Sequence, residues 1–251
     1  MSDLTAGRIV ITGGASGVGL AMAEAFAAKG GEVHIVDVDQ TALDVCTDDW
    51  GRHCFDVADE AEIAALIDHI GGCDVLCANA GVAGPTAPVT DVALGDWRAC
   101  MTVNLDAPFL WTKHAAPGMR AKGAGAIIIT SSTAGLHGYS NRAPYCASKW
   151  AVIGLAKTLA LELGPYGVRA NAICPGSVSG PRMDGVIARE AAAKGMDPAD
   201  VRDGYTRGVA MRTFVDGADI ANMAVFLASD AGRYVTGQAL SVDGYIVNPE
   251  T

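Results

Sequence analysis

The stretch from Arg8 to Lys29 constrains the fold more than any other part of the chain. An apolar, β-branched run, Arg8 to Thr12, passes at once into Thr12-Gly13-Gly14-Ala15-Ser16-Gly17-Val18-Gly19 and then into the helix-forming stretch Leu20 to Lys29. A strand that feeds a helix through a glycine-rich turn opens a βαβ unit. It also sets several backbone N–H groups beside the positive end of a helix dipole, where a pyrophosphate can sit. Gly13, Ser16, Gly17, Val18 and Gly19 are therefore candidate contacts to a dinucleotide. The spacing G-x-x-x-G-x-G is a weak signal alone and takes its weight from context.

That context is a regular alternation. Further strands are predicted at Glu32 to Asp37, Arg52 to Phe55, Asp74 to Ala78, Ala126 to Thr130, Val168 to Ile173 and Ala239 to Val242. Helices are predicted at Glu60 to Ile70, Leu94 to Ala121, Pro144 to Leu163 and Gly217 to Ala228. The strands read as continuous apolar runs, the pattern of a parallel sheet covered on both faces. The expected fold is α/β: a single doubly wound, Rossmann-type parallel sheet with helices on both faces. Pro108 and Pro117 fall inside one predicted helix, which should kink or end early there. From Gly176 to about Met211 the rhythm breaks into short helical pieces with no strand candidate, which predicts a small helical lid within one domain spanning all 251 residues.

Composition narrows the class of function. Half the residues are hydrophobic and only 18% are charged, which suggests apolar surface covered in a homo-oligomer. A formal net charge of -10 with no basic cluster disfavours nucleic acid as a partner. Met1 to Gly7 has no basic start or apolar core, and no apolar run reaches membrane-spanning length, so a cytoplasmic protein without membrane contact is expected. The seven cysteines show no C-x-x-C pair and read as free thiols, with no metal site expected.

The predicted strand ends collect polar groups on the carboxyl edge, where open α/β sheets bind ligands. Asp37 closes the second strand and can accept hydrogen bonds from ribose hydroxyls, whereas a 2′-phosphate would meet a like charge. Together with the absence of Lys or Arg between Gly13 and Gly19, this predicts NAD rather than NADP. Asp56-Val57 and Asn79-Ala80-Gly81 end the third and fourth strands. Beyond the fifth lie Ser131-Ser132 and then Tyr145-Cys146-Ala147-Ser148-Lys149 at the head of a helix. Residues i and i+4 share a helical face, so the Lys149 ammonium can lie near the Tyr145 phenol and favour its phenolate.

Thr12-Gly13 to Gly19, Asn79-Ala80-Gly81, Val103-Asn104-Leu105, Ser132, Tyr145 with Lys149, and Pro175-Gly176 together make the chain resemble the short-chain dehydrogenase/reductase family over essentially its full length. The resemblance implies that Tyr145 is a general acid/base and that Ser132 holds the substrate oxygen. It implies that Lys149 binds nicotinamide ribose, that Asn104 orders a water linking Lys149 to solvent, and that Pro175, Gly176 and Val178 flank the nicotinamide. It further suggests a homotetramer built through the helix near Asp96 to Ala121, the Pro144 to Leu163 helix and the C-terminal segment. Two positions depart from the family pattern. Ala78 replaces the first asparagine of Asn-Asn-Ala-Gly, and Gly180 stands where a threonine often contacts the carboxamide, leaving Ser177 or Ser179 to substitute.

The expected activity is NAD(H)-dependent interconversion of a small, polar secondary alcohol and its ketone. His137, Tyr139, Asn141, Arg142 and Arg182 are candidate polar contacts to that substrate. An epimerase or dehydratase that retains NAD would also use a Tyr/Lys pair, but with another glycine spacing and a longer substrate domain. A non-catalytic dinucleotide sensor is disfavoured because all four implied catalytic side chains are intact.

Overall fold

The computed structural model describes residues 3–246. Among them, β1 (Arg8–Thr12), β2 (Glu32–Asp37), β3 (Gly51–Cys54), β4 (Val75–Ala78), β5 (Gly125–Thr130), β6 (Val168–Pro175) and β7 (Ala239–Val242) form one sheet. Its order is β3-β2-β1-β4-β5-β6-β7 and every pairing is parallel. The chain winds outward from β1 to β3 and then returns to the other side of β1 with β4. This reversal opens a crevice at the carboxyl edge.

The connections are α1 (Gly17–Ala27), α2 (Gln40–Asp44), α3 (Glu60–His69), α4 (Leu94–Met101), α5 (Ala107–Lys122), α6 (Ala143–Leu163), α7 (Pro181–Lys194), α8 (Pro198–Arg207) and α9 (Gly217–Ala228). Strand alternation divides the core between the two faces of the sheet. Val10, Val36, Leu76, Ile127 and Ile129 pack with α3, α5 and α6, whereas Ile9, Ile11, Ile35, Cys77 and Ile128 pack with α1 and α9. Each isoleucine removed from water in this way contributes about 1.5–3 kcal/mol. The doubly wound sheet with helices on both faces is the architecture that the apolar runs predict.

One detail differs from the sequence reading. The predicted helix over Leu94 to Ala121 is interrupted upstream of both prolines: Thr102–Asp106 is π-helical and separates α4 from α5. Pro108 falls in the first turn of α5, directly after the π-helical turn, and α5 continues through Pro117. Within the π-helical turn Asn104 is buried, 1% exposed. The region from Gly176 to Met211 forms the short helices that its sequence predicts. Its helices α7 and α8 enclose a small cluster of their own, Ile187, Ala191 and Val201 with Met183, Tyr205 and Phe214. No strand forms within it, as its residues predict, and two isolated bridges pin its flanks, a parallel one from Val178 to Val215 and an antiparallel one from Val209 to Ile246.

All seven cysteines are free; Cys73, Cys77, Cys100 and Cys174 are buried and Cys54 is exposed. Among the described residues no helix is long and apolar enough to cross a membrane, and no cluster of His, Cys, Asp or Glu has the makings of a metal site.

Candidate active site

A cleft of about 610 Å³ runs along the carboxyl edge of the sheet, from the turn after β1 to α7 and α8. Its first half is built by the glycine loop. The helix starts at Gly17, inside the loop, rather than at Leu20, so the loop's backbone leads directly into the N-terminus of α1. Gly19 is where loop and helix approach most closely: a Cβ there would lie 1.9 Å from the Gly13 carbonyl oxygen. The loop is tied to the neighbouring strands by Thr12 and Asn79. Thr12 Oγ1 accepts from the backbone N–H groups of Asn79 and Ala80, both at 3.0 Å. Asn79 Nδ2 donates to the Thr12 and Gly13 carbonyls at 3.2 and 3.3 Å, and its Oδ1 accepts from Thr130 Oγ1 at 3.1 Å. The Asn79 side chain thus joins the ends of β1 and β5 as well as facing the cleft.

Asp37 ends β2 on the cleft wall. One carboxylate oxygen accepts from Ala15 N–H and the other from Asp39 N–H, each at 3.2 Å. Asp39 in turn caps α2 through Ala42 N–H at 3.0 Å. Asp37 is therefore both a turn residue and a wall residue. Asp56 similarly accepts from Ala58 N–H at 2.9 Å, and the Val57 carbonyl accepts from Trp111 Nε1 at 3.0 Å.

The second half of the cleft holds Ser132, Tyr145 and Lys149. Ser132 follows β5, with extended backbone, and its Oγ accepts from Ala134 N–H at 3.1 Å, which leaves its own proton to donate. Tyr145 and Lys149 lie one turn apart on α6, with Lys149 Nζ 5.8 Å from the Tyr145 ring centre. Lys149 is 3% exposed; its ammonium donates to the Thr130 carbonyl at 2.8 Å, and its backbone carbonyl accepts from Ser131 Oγ at 2.8 Å. Burial, aided by the charge of Arg182, pulls the Lys149 ammonium down to about 7. Gly81 faces this ammonium, and a Cβ on Gly81 would come within 3.4 Å of Lys149 Nζ and 3.1 Å of Asn104 Oδ1.

Gly13, Ser16, Gly17, Val18, Asp37, Asp56, Val57, Asn79, Ala80, Gly81, Ser132, Tyr145, Lys149, Pro175, Gly176 and Val178 all line this one cleft. Gly19 and Asn104 do not. Gly19 is occupied in the loop–helix contact, and Asn104 lies behind the wall. There Asn104 Oδ1 accepts from Val82 N–H at 2.8 Å, while Nδ2 donates to the Val82 carbonyl at 3.0 Å and lies 3.1 Å from Ser148 Oγ. It clamps the turn after β4 to α6, so its side chain is a positioning group.

Of the candidate substrate contacts, Tyr139, Arg142 and Arg182 line the cleft, whereas His137 and Asn141 are exposed and lie outside it. Ser177 and Ser179 line it on either side of Val178, next to Gly180. Sequence reasoning missed Thr130, whose contribution is a backbone carbonyl, and Tyr205, which only the docking of α8 brings to the wall. Neither has a local sequence signal.

A Rossmann-type sheet, a glycine loop at a helix N-terminus and a Ser/Tyr/Lys set in one cleft define an α/β oxidoreductase of the dinucleotide-binding class. Residues 13–244 match the family described as enoyl-(acyl carrier protein) reductase. The chain is 36% identical to cis-4-hydroxycyclohexanecarboxylate dehydrogenase of Sinomonas cyclohexanicum, over 97% of this chain and 98% of that protein. It is 38% identical to momilactone A synthase of Oryza sativa subsp. japonica, over 94% and 88%. The crystal structure of NAD+-bound xylitol dehydrogenase superposes with a TM-score of 0.91 at 29% identity, covering 97% of this chain and all of that one. The chain belongs to the short-chain dehydrogenase/reductase family.

Proposed function

We propose that the protein is an NAD(H)-dependent dehydrogenase and ketone reductase acting on a small, polar secondary alcohol. The observation that carries this reading is that Ser132, Tyr145 and Lys149 line the same cleft as the glycine loop and Asp37. The dehydrogenase relative named for a hydroxycyclohexane ring and the NAD+-bound xylitol dehydrogenase neighbour support a polyol or ring alcohol as substrate.

NAD would be held by the glycine loop through its backbone N–H groups, by Asp37 through the adenosine ribose, and by Lys149 through the nicotinamide ribose. Asp56, Val57, Asn79 to Gly81 and Pro175 to Val178 would complete its walls. The fit rests on the loop's close seat on α1 and on the absence, among the described residues, of a lysine or arginine lining the Asp37 end of the cleft. When bound, the nicotinamide accepts or supplies the hydride.

The remaining work falls to the chain's own side chains. Ser132 donates its free proton to the substrate oxygen and fixes its position. Tyr145 removes the hydroxyl proton in oxidation and returns it in reduction, general acid/base work worth about 10² to 10⁴ in rate. Lys149, anchored by Thr130 and Ser131, holds its amine beside the phenol and in its protonated form favours the phenolate. Asn104 acts at one remove, by holding Val82 and Ser148 and hence the turn at Gly81 against Lys149.

The helices α7 and α8 serve as a lid over the substrate. The enzyme works in the cytoplasm as a homotetramer, and exposed Phe109 on α5 with Trp150 and Leu161 on α6 are suited to subunit contacts. The part of the C-terminal segment after residue 246 lies outside the described residues. The test is NADH absorbance on mixing the enzyme and NAD with cyclohexanol, 4-hydroxycyclohexanecarboxylate and xylitol, and the reverse reaction with ketones. Reduction of NAD by at least one alcohol is expected; none from a broad panel, with NADH still bound, would favour a sensor.

A further inference from the structure

Acid/base chemistry at Tyr145 leaves two cations in the cleft without a task. Arg142 and Arg182 line it alongside Lys149, and the acidic side chains of the wall, Asp37 and Asp56, stand at the ends of β2 and β3. Two strands, β1 and β4, separate them from the β5 edge that carries Ser132. The charged side chains that line the substrate half of the cleft are thus all cationic, in a chain whose net charge is -10; the nearest carboxylates stand behind the wall, Glu190 accepting from Tyr205 Oη and Asp243 beside Gly176.

Neither arginine is neutralised within the described residues. Arg142 donates Nη2 to the Ala83 carbonyl at 3.2 Å, and its buried Nε has no hydrogen-bond partner. Its guanidinium lies 4.8 Å from the centre of the Tyr145 ring. Arg182 forms no hydrogen bond or ion pair among the described residues, and the acid nearest to it in sequence, Asp184, is paired with Arg202. Both arginines also occupy helix N-terminal positions, Arg142 as the N-cap of α6 and Arg182 as the second residue of α7. A helix dipole disfavours a cation there, so local helix stability does not account for either.

We propose that Arg142 and Arg182 form a carboxylate-binding subsite at the substrate end of the cleft, so that the alcohol processed here carries an anionic group besides its reacting hydroxyl. The inference rests on the assignment of Tyr145 to that hydroxyl. The guanidinium stacked on the Tyr145 ring sets the anion within a small molecule's length of the phenol, and its planar fork matches a carboxylate. An incoming carboxylate supplies the ion-pair partner that Arg142 and Arg182 lack among the described residues. The pyrophosphate of the cofactor is the competing anion, but the N-terminus of α1, on the far side of β4 from Arg142, already provides for it.

Cyclohexanecarboxylate and cyclohexanecarboxamide test the subsite, because neither can react. Titrated calorimetrically into the NADH-saturated enzyme, the carboxylate should bind at least about tenfold more tightly than the amide, the scale of one charge-assisted hydrogen bond. Arg142→Gln should abolish most of that preference and Arg182→Gln part of it, with NADH affinity unchanged, which also shows that the variants are folded. Equal binding of acid and amide by the wild type would overturn the proposal, as would a preference that survives in both variants. Loss of NADH affinity in step with loss of carboxylate affinity would assign the arginines to the cofactor's phosphates instead. Tight carboxylate binding by an enzyme that oxidises no alcohol would sink the dehydrogenase reading and leave the subsite standing.

Discussion

The Lys149 ammonium donates a 2.8 Å hydrogen bond to the carbonyl of Thr130, the last residue of the strand that leads to Ser132. One cation thereby ties α6, which carries Tyr145, to β5. Its burial also makes it a titration site: the Lys149 ammonium is pulled from 10.5 to about 7.

The first prediction concerns stability. In the cofactor-free protein Lys149 is neutral above about pH 7, whereas in the unfolded chain it stays protonated to 10.5. The unfolded state binds more protons in that window, so stability rises with pH across it and the burial penalty is complete below pH 7. A Lys149→Met variant lacks this titration. Its stability advantage over the wild type in urea unfolding should be largest at pH 7 and shrink toward pH 10; a gap that does not change with pH would mean that the ammonium is solvated.

Cofactor choice is the second. Asp37 leaves no cation beside it to receive a 2′-phosphate, and a partly desolvated like-charge contact costs about 2 to 4 kcal/mol, or about 30- to 1000-fold in selectivity. The wild type should favour NAD over NADP in kcat/KM by that order. Asp37→Ala should weaken NAD use and narrow the ratio. It should also cost some stability, because Asp37 accepts from the Ala15 and Asp39 N–H groups. An unchanged ratio in the variant would reduce Asp37 to its turn.

A third prediction follows from the packing of α7 and α8. They bury Ile187, Ala191 and Val201 against each other rather than into either sheet-facing core. Amide exchange over residues 176–211 should be the fastest of the main elements in the empty enzyme and slow on adding NADH with a substrate analogue. Full protection without ligand would make the segment ordinary core.

Much of this was legible in the sequence because the signals are local. Continuous apolar runs specify parallel strands, and the glycine loop specifies a strand-to-helix turn, so β1, β2, β7 and α9 fall where the residues predict. Gly19 shows the limit of such reading. Its glycine serves the contact with the Gly13 carbonyl and not the cleft surface, a distinction made only by the closure of the loop on α1. Asn104 is a similar case, since the π-helical turn that buries it has no residue signature comparable to proline. Tyr205 and the exclusion of His137 depend on how α7 and α8 dock and on which way one loop faces, and neither leaves a trace in periodicity.

In the proposed mechanism Tyr145 moves the proton at the substrate oxygen, with Ser132 holding that oxygen. Tyr145→Phe keeps the ring under the Arg142 guanidinium and next to Lys149 but removes the ionisable hydroxyl, so it separates packing from chemistry. Steady-state kcat/KM on the best alcohol of the panel, measured with NADH affinity by fluorescence titration, reads both. A loss of about 10² or more in kcat/KM is expected with NADH affinity within a few-fold of wild type, and a milder loss for Ser132→Ala because one oxygen contact remains. Near-wild-type turnover by Tyr145→Phe would contradict that mechanism.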